Sequence, residues 1–182
     1  MSKKYIAFYK PYGILSQFTG ENPEETLSSF NLPPNIYAAG RLDKDSEGLL
    51  LLTDDGEFIH SLANPKSRCP KVYWVQVDGS PTSESLKQME KGLKIKNYRT
   101  LPCFAKKMTE PDIPPRTPPI RVRKSIPTTW LEVTLFEGKN RQVRKMTAAI
   151  GHPTLRLIRA KISNIDLKDL WPGKWKTCLP GK

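Results

Sequence analysis

Gly40-Arg41-Leu42-Asp43-Lys44-Asp45-Ser46-Glu47-Gly48, followed by Leu49-Leu50-Leu51-Leu52 and then Thr53-Asp54-Asp55-Gly56, sets a short polar loop directly against an all-leucine run. Four successive leucines between a glycine and a polar turn read as a buried strand. The loop before them therefore holds one acidic side chain, Asp43, beside a rigid element, the arrangement on which reactive groups are commonly mounted. Read alone, Asp43 is a turn former whose oxygen bonds a nearby backbone N–H. Its meaning depends on what surrounds it.

Outward from this run the pattern is mostly extended. Residues 4–9 and 130–136 read as strands, and Val72-Tyr73-Trp74-Val75-Gln76-Val77 carries a strand's apolar and aromatic residues. Extended structure resumes from Pro153 to Ile162 after Gly151. Short helices are predicted over residues 23–30, with Glu24 and Glu25 in an acidic first turn, over 55–63, and over 81–91 with Gly92 as the stop. A further helix runs from an Asn140 cap to Ile150, with Val143, Met146, Thr147 and Ile150 as its buried stripe. Arg141 and Lys145 face away from that stripe, and Arg144 falls on its boundary. Strand follows strand too often for a doubly wound parallel sheet. The expected class is α+β, a mixed or antiparallel sheet with helices packed against it.

Composition narrows the partner. Thirty Lys and Arg against 18 Asp and Glu give a formal net charge of +12 over 182 residues. Residues 94–145 alone hold 13 cations against four acids, so one face should be strongly positive and suited to a polyanion. Within them, residues 111–127 contain six prolines together with Arg116, Arg121, Arg123 and Lys124. That segment cannot be a regular helix. It reads as an extended surface arm, and four cations without an acid after Pro114 favour contact with RNA over a plain linker. Cys69, Cys103 and Cys178 are scattered and only two histidines accompany them, which gives no metal cluster and fits a reducing, cytoplasmic compartment. No apolar run approaches a membrane span, and the N-terminus carries no signal-peptide pattern.

Four ordered stretches carry a resemblance: Lys10-Pro11-Tyr12-Gly13, the Gly40 loop, Lys71-Val72-Tyr73, and Gly138-Lys139-Asn140-Arg141-Gln142-Val143-Arg144-Lys145-Met146 with Leu157-Ile158-Arg159. Together they resemble the pseudouridine synthases, specifically the subfamily related to small-subunit synthase A that modifies ribosomal RNA. Tyr37-Ala38-Ala39-Gly40 and residues 124–128 are most similar to a member acting on the large subunit. The resemblance implies a central sheet in two similar halves with a cleft across it, and isomerisation of a uridine by a base-flipping mechanism. It implies ribosomal RNA as the partner, with no cofactor, no metal and no membrane, and a single catalytic domain over residues 1–182 working as a monomer. The small accessory RNA-binding domain of most relatives is not expected here, because the first catalytic-domain strand begins near Lys4.

By the same resemblance Asp43 is the essential carboxylate and Arg144 its cationic partner. Tyr73 is the tyrosine whose ring stacks on the uracil, a contact worth about 1–3 kcal/mol per base. Arg41 holds the flipped nucleotide or fills its place. RNA contacts fall to Arg116, Arg121, Arg123, Lys124, Arg141, Lys145 and Arg159, although Arg159 has a family match without a derivable role. Lys10 belongs to a structural loop, and Leu157 reads equally well as core. Two other readings stand beside the synthase. A non-catalytic ribosomal RNA-binding or ribosome-assembly factor would explain the charge but gives no reason for Asp43, Tyr73 and Arg144 together. A glycosidase would require a second carboxylate, such as Asp45 or Glu47.

Overall fold

A computed structural model describes residues 3–179 except Val122 and Lys124. In chain order its elements are β1 (Tyr5–Lys10), β2 (Tyr37–Ala38), β3 (Glu47–Thr53), α1 (Gly56–Ala63), β4 (Lys71–Asp78), α2 (Ser83–Glu90), β5 (Lys94–Ile95), β6 (Tyr98–Arg99), β7 (Phe104–Met108), β8 (Thr128–Leu135), α3 (Gln142–Ala149), β9 (Thr154–Ile162), β10 (Ile165–Asp166) and β11 (Trp175–Thr177). The class is α+β with a mixed sheet, as the density of strands predicts. Two compact units divide the chain. One comprises residues 1–69 and 159–182, the other residues 70–158, and β9 crosses from the second into the first at Ile158–Arg159.

The first unit is built around the leucine run. β3 is buried along its whole length and is flanked by β1 and β9, with β11 outside β1. A strand covered on both faces cannot alternate apolar with polar residues, which is why Leu49 to Leu52 form a continuous run. β1 pairs antiparallel with β3 from Tyr5 opposite Thr53 to Lys10 opposite Gly48. This register brings Lys10 to the end of β3 from which the polar loop departs. Ile6, Phe8, Leu27, Ile36, Leu50 and Leu52 form a buried cluster on one side. Each such side chain contributes about 1.5–3 kcal/mol by leaving water. Helix α1 begins where Asp55 Oδ1 accepts from the Glu57 and Phe58 N–H groups at 3.1 and 3.2 Å. The helix predicted over residues 23–30 resolves instead into two 3-10 turns, Pro23–Glu25 and Leu27–Ser29.

In the second unit β8 lies between β4 and β7, both pairings antiparallel, with Tyr73 opposite Val133. Here burial does alternate along β4. Its inward side chains Tyr73, Val75 and Val77 join Leu86 and Met89 of α2, Leu131, Val133 and Leu135 of β8, and Val143 and Met146 of α3 in one core. Thr82 caps α2 by accepting from Ser85 N–H at 3.1 Å. Gly92, at φ +87°, ends the turn after it, where a side chain would collide with the Thr100 carbonyl. Helix α3 starts later than the Asn140 cap predicts. Arg141 stands at its N-cap in the left-handed conformation, φ 52°, without a capping side chain. Gln142 closes the turn instead, accepting from Lys139 N–H at 3.0 Å and donating to Glu137 Oε1 at 2.6 Å.

Candidate active site

Asp43 sits half-buried in a loop fixed by its backbone. Ser16 donates its hydroxyl to the Leu42 carbonyl at 2.8 Å and accepts from the Leu42 N–H at 3.0 Å, so residue 42 is held through both of its polar backbone groups. The Gly13 N–H reaches the Lys44 carbonyl at 2.8 Å, and the Ser46 N–H closes a turn onto the Asp43 carbonyl at 3.0 Å. The Asp43 backbone is thereby set on a frame while its side chain faces partly outward. Arg41 is exposed and donates to Gln17 Oε1 at 3.0 Å. Lys44 pairs with Glu25 at 2.6 Å on the same loop.

Beneath the loop lies a set of buried charges that the sequence reading treats only in fragments. Lys10 is 0 % exposed and donates to the Ile14 and Pro11 carbonyls at 2.7 and 3.0 Å. Burial drives its pKa down to about 7, Glu47 opposes that fall, and Arg159 adds to it. Asp45 and Asp43 lie close enough to oppose it as well. Glu47 and Arg159 are each 3 % exposed. Arg159 is therefore not presented to phosphate in the way an RNA-contacting arginine requires. Its Nε donates to the Leu49 carbonyl at 2.8 Å and its Nη1 to the Arg41 carbonyl at 3.4 Å. The signal for Lys10 was present in Lys10-Pro11-Tyr12-Gly13, but composition cannot reveal that its ammonium is buried.

Tyr73 and Arg144 belong to the second unit. Tyr73 is 8 % exposed and shares its core with Val143 and Met146, so the tyrosine strand and the inner face of α3 are fixed together. Arg144 is half-buried at the margin of that face, as the helical pattern predicts. Leu157, 6 % exposed, belongs to the same core. Arg141 is exposed. Lys145 is half-buried and spends its ammonium on the Asn140 carbonyl at 2.6 Å.

The proline-rich arm forms no regular element among its described residues. It is tied down where Arg156 donates to the Pro114 carbonyl at 3.0 Å. Arg116 folds back onto the arm, donating to the Pro118 and Pro119 carbonyls at 2.8 and 3.1 Å. Arg121 and Arg123 are exposed, and Arg123 approaches Asp78 at only 3.8 Å. Lys124 lies outside the described residues. A cavity of about 170 Å³ in the first unit, lined by Leu51, Phe58, Leu62, Cys69, Ile162 and Ile165 among others, includes none of the predicted site residues. Among the described residues no cluster of His, Cys, Asp and Glu could hold a metal ion, and no helix is long and apolar enough to cross a membrane.

Residues 4–149 match the family model described as RNA pseudouridylate synthase. The chain belongs to the RNA pseudouridylate synthase family. Its relatives include the ribosomal large subunit pseudouridine synthase E of Vibrio parahaemolyticus, 51 % identical over 96 % of this chain and 74 % of that protein. The protein of the same name from Xanthomonas campestris is also 51 % identical, over 94 % of this chain and 93 % of its own length. Among solved structures, one described as pseudouridylate synthase superposes with a TM-score of 0.77 and 27 % identity, covering 98 % of this chain and 71 % of that one. This pseudouridine synthase is thus an isomerase, and the family assignment agrees with the four ordered stretches read from the sequence.

Proposed function

We propose that this synthase converts a specific uridine of large-subunit ribosomal RNA to pseudouridine, with Asp43 as the reacting carboxylate and Arg144 and Tyr73 completing the site. The observation that carries the assignment is the framing of Asp43, a half-buried carboxylate whose loop is hydrogen-bonded at Leu42, Asp43 and Lys44. The substrate class is supported by the names of the relatives that share half of its residues.

The reaction breaks the bond from N1 of uracil to the sugar carbon and joins C5 to that carbon. C5 loses a hydrogen and N1 gains one, so nothing is consumed. An ionised carboxylate can serve by attacking the sugar carbon, attacking the ring, or removing a sugar proton, and each route needs a fixed and charged group. A guanidinium favours the charged form, which is the role proposed for Arg144. The base must leave its stack to be reached, and the Tyr73 ring replaces that contact. Arg41, exposed on the same loop as Asp43, is the side chain proposed to hold the displaced nucleotide.

Asp43→Asn keeps the side chain's shape and removes its charge. It should abolish tritium release from RNA labelled at C5 of uridine while leaving RNA affinity and the unfolding midpoint near wild type. Turnover close to wild type in this variant would overturn the assignment. Pseudouridine mapping of ribosomal RNA from cells with and without the protein identifies the target, and unaltered maps would favour a binding or assembly factor.

A further inference from the structure

We propose that Arg159 is a positioning residue that clamps the two ends of the Asp43 loop. Its guanidinium donates from Nε to the Leu49 carbonyl at 2.8 Å and from Nη1 to the Arg41 carbonyl at 3.4 Å. These acceptors lie on opposite sides of Asp43 in the chain, so a single rigid fork spans the loop at its base. A planar guanidinium carries donors in fixed directions, which an ammonium does not.

The backbone is shaped to allow this reach. Gly48, at φ +108°, lies so close to Arg159 that an added Cβ would overlap the Arg159 main-chain atoms. The β9 backbone can then approach the start of β3 without an intervening side chain, and the arginine is delivered directly beneath the loop. Burial gives the contact weight. At 3 % exposure the guanidinium has almost no access to water, so its N–H groups depend on acceptors within the protein. Glu47, equally buried and next to Gly48 in the chain, brings a carboxylate to the same region, and Lys10 lies within electrostatic reach of both. The loop is held from below by Arg159 and from the side by Ser16 and Gly13. The loop's backbone is thus bonded at residues 41, 42, 43, 44 and 49.

A displacement of about 1 Å in a reacting group can cost roughly 100-fold in rate. The inference rests on the carboxylate role proposed for Asp43, and its test is arranged so that the two fail separately. Wild type, Asp43→Asn, Arg159→Lys and Arg159→Gln are assayed by tritium release from a large-subunit ribosomal RNA transcript labelled at uridine C5. Measurements are made at a temperature where each variant is folded. Arg159→Lys and Arg159→Gln should each lose about 10- to 100-fold in kcat, with KM within about twofold of wild type. In Arg159→Ala, guanidinium at concentrations well below denaturing ones should restore part of the lost turnover, an effect that a general loss of stability would not produce. Wild-type kcat in both Arg159→Lys and Arg159→Gln overturns the clamp, as does a raised KM with unchanged kcat, which would make Arg159 an RNA contact. Activity retained in Asp43→Asn would refute the carboxylate role instead, independently of what the Arg159 variants do.

Discussion

At the scale of single residues, burial separates groups that look alike in the sequence. Arg41, Arg141 and Arg159 are all arginines in matched stretches, yet the first two are exposed and the third is locked under a loop. Tyr73 is the sharper case, because an aromatic on an alternating strand is ordinarily core, and at 8 % exposure it does pack with Val143 and Met146. A ring seated in a packed core would receive a flipped base without losing entropy of its own. If the ring stacks and the hydroxyl handles protons, the two functions can be separated. Tyr73→Phe should retain RNA binding and lose most turnover, whereas Tyr73→Ala should lose both. Equilibrium binding and single-turnover rates on the same transcript distinguish them, and nearly full activity in Tyr73→Phe would leave the hydroxyl without a role.

Among the elements, the proline-rich arm tests how RNA is held. Arg116 is engaged with the arm's own carbonyls, so Arg121, Arg123 and Lys124 are the cations proposed to meet phosphate. Each contact on single-stranded RNA contributes about 0.7 to the slope of log affinity against log salt. Replacing these three by alanine should flatten that slope by about two and weaken binding, with much less effect on single-turnover chemistry at saturating RNA. An unchanged slope and affinity, measured by filter binding across salt concentrations, would make the arm a plain linker. The arm was legible in the sequence because proline density is a local property, and so were β3, β4, α1 and α2, whose patterns and caps are local too. The short strands β2, β7, β10 and β11 were not. β7, Phe-Ala-Lys-Lys-Met, lies at the edge of its sheet, where exposed cations dilute the apolar signal and pairing with β8 decides the conformation. The start of α3 was misread for a related reason. Asn140 has the chemistry of a cap, but the contact of Gln142 with Glu137 accompanies a cap one residue later, at Arg141. The motif proposes Asp43. What holds its loop is not legible there, since Ser16 and Arg159 are far from it in the chain and meet it only after folding.

For the whole molecule, the two units carry buried groups with opposite responses to pH. Lys10 in the first unit has its pKa lowered to about 7 by burial, whereas Cys103 in the second has its thiol pushed up to about 12, chiefly by burial and further by Glu90 and Glu137. Unfolding restores both to ordinary values. Between about pH 7 and 10.5 the unfolded chain therefore binds a proton at Lys10 that the folded one has released, and stability rises with pH by up to about 1.4 kcal/mol per unit. Above about pH 9 the unfolded Cys103 thiol ionises while the folded one does not, which removes stability and offsets the gain. Urea midpoints should climb from pH 7 to about 9 and then level off. Lys10→Met should erase the climb, and Cys103→Ala should raise the midpoints above pH 9, where the Cys178 thiol, also pushed up by burial, still opposes the gain. A flat wild-type profile would show that Lys10 is not held neutral. The division of the chain bears on synthesis as well. Residues 70–158 are continuous and can close on themselves as soon as they emerge, but the first unit lacks β9 and the Arg159 contacts until residues beyond 158 are made. Residues 70–158 can thus finish before residues 3–69, reversing the usual amino-to-carboxyl order of maturation. Asp43, proposed as the reacting carboxylate, is translated before Arg159, so a nascent chain carries that side chain before it carries one of the groups that hold its loop.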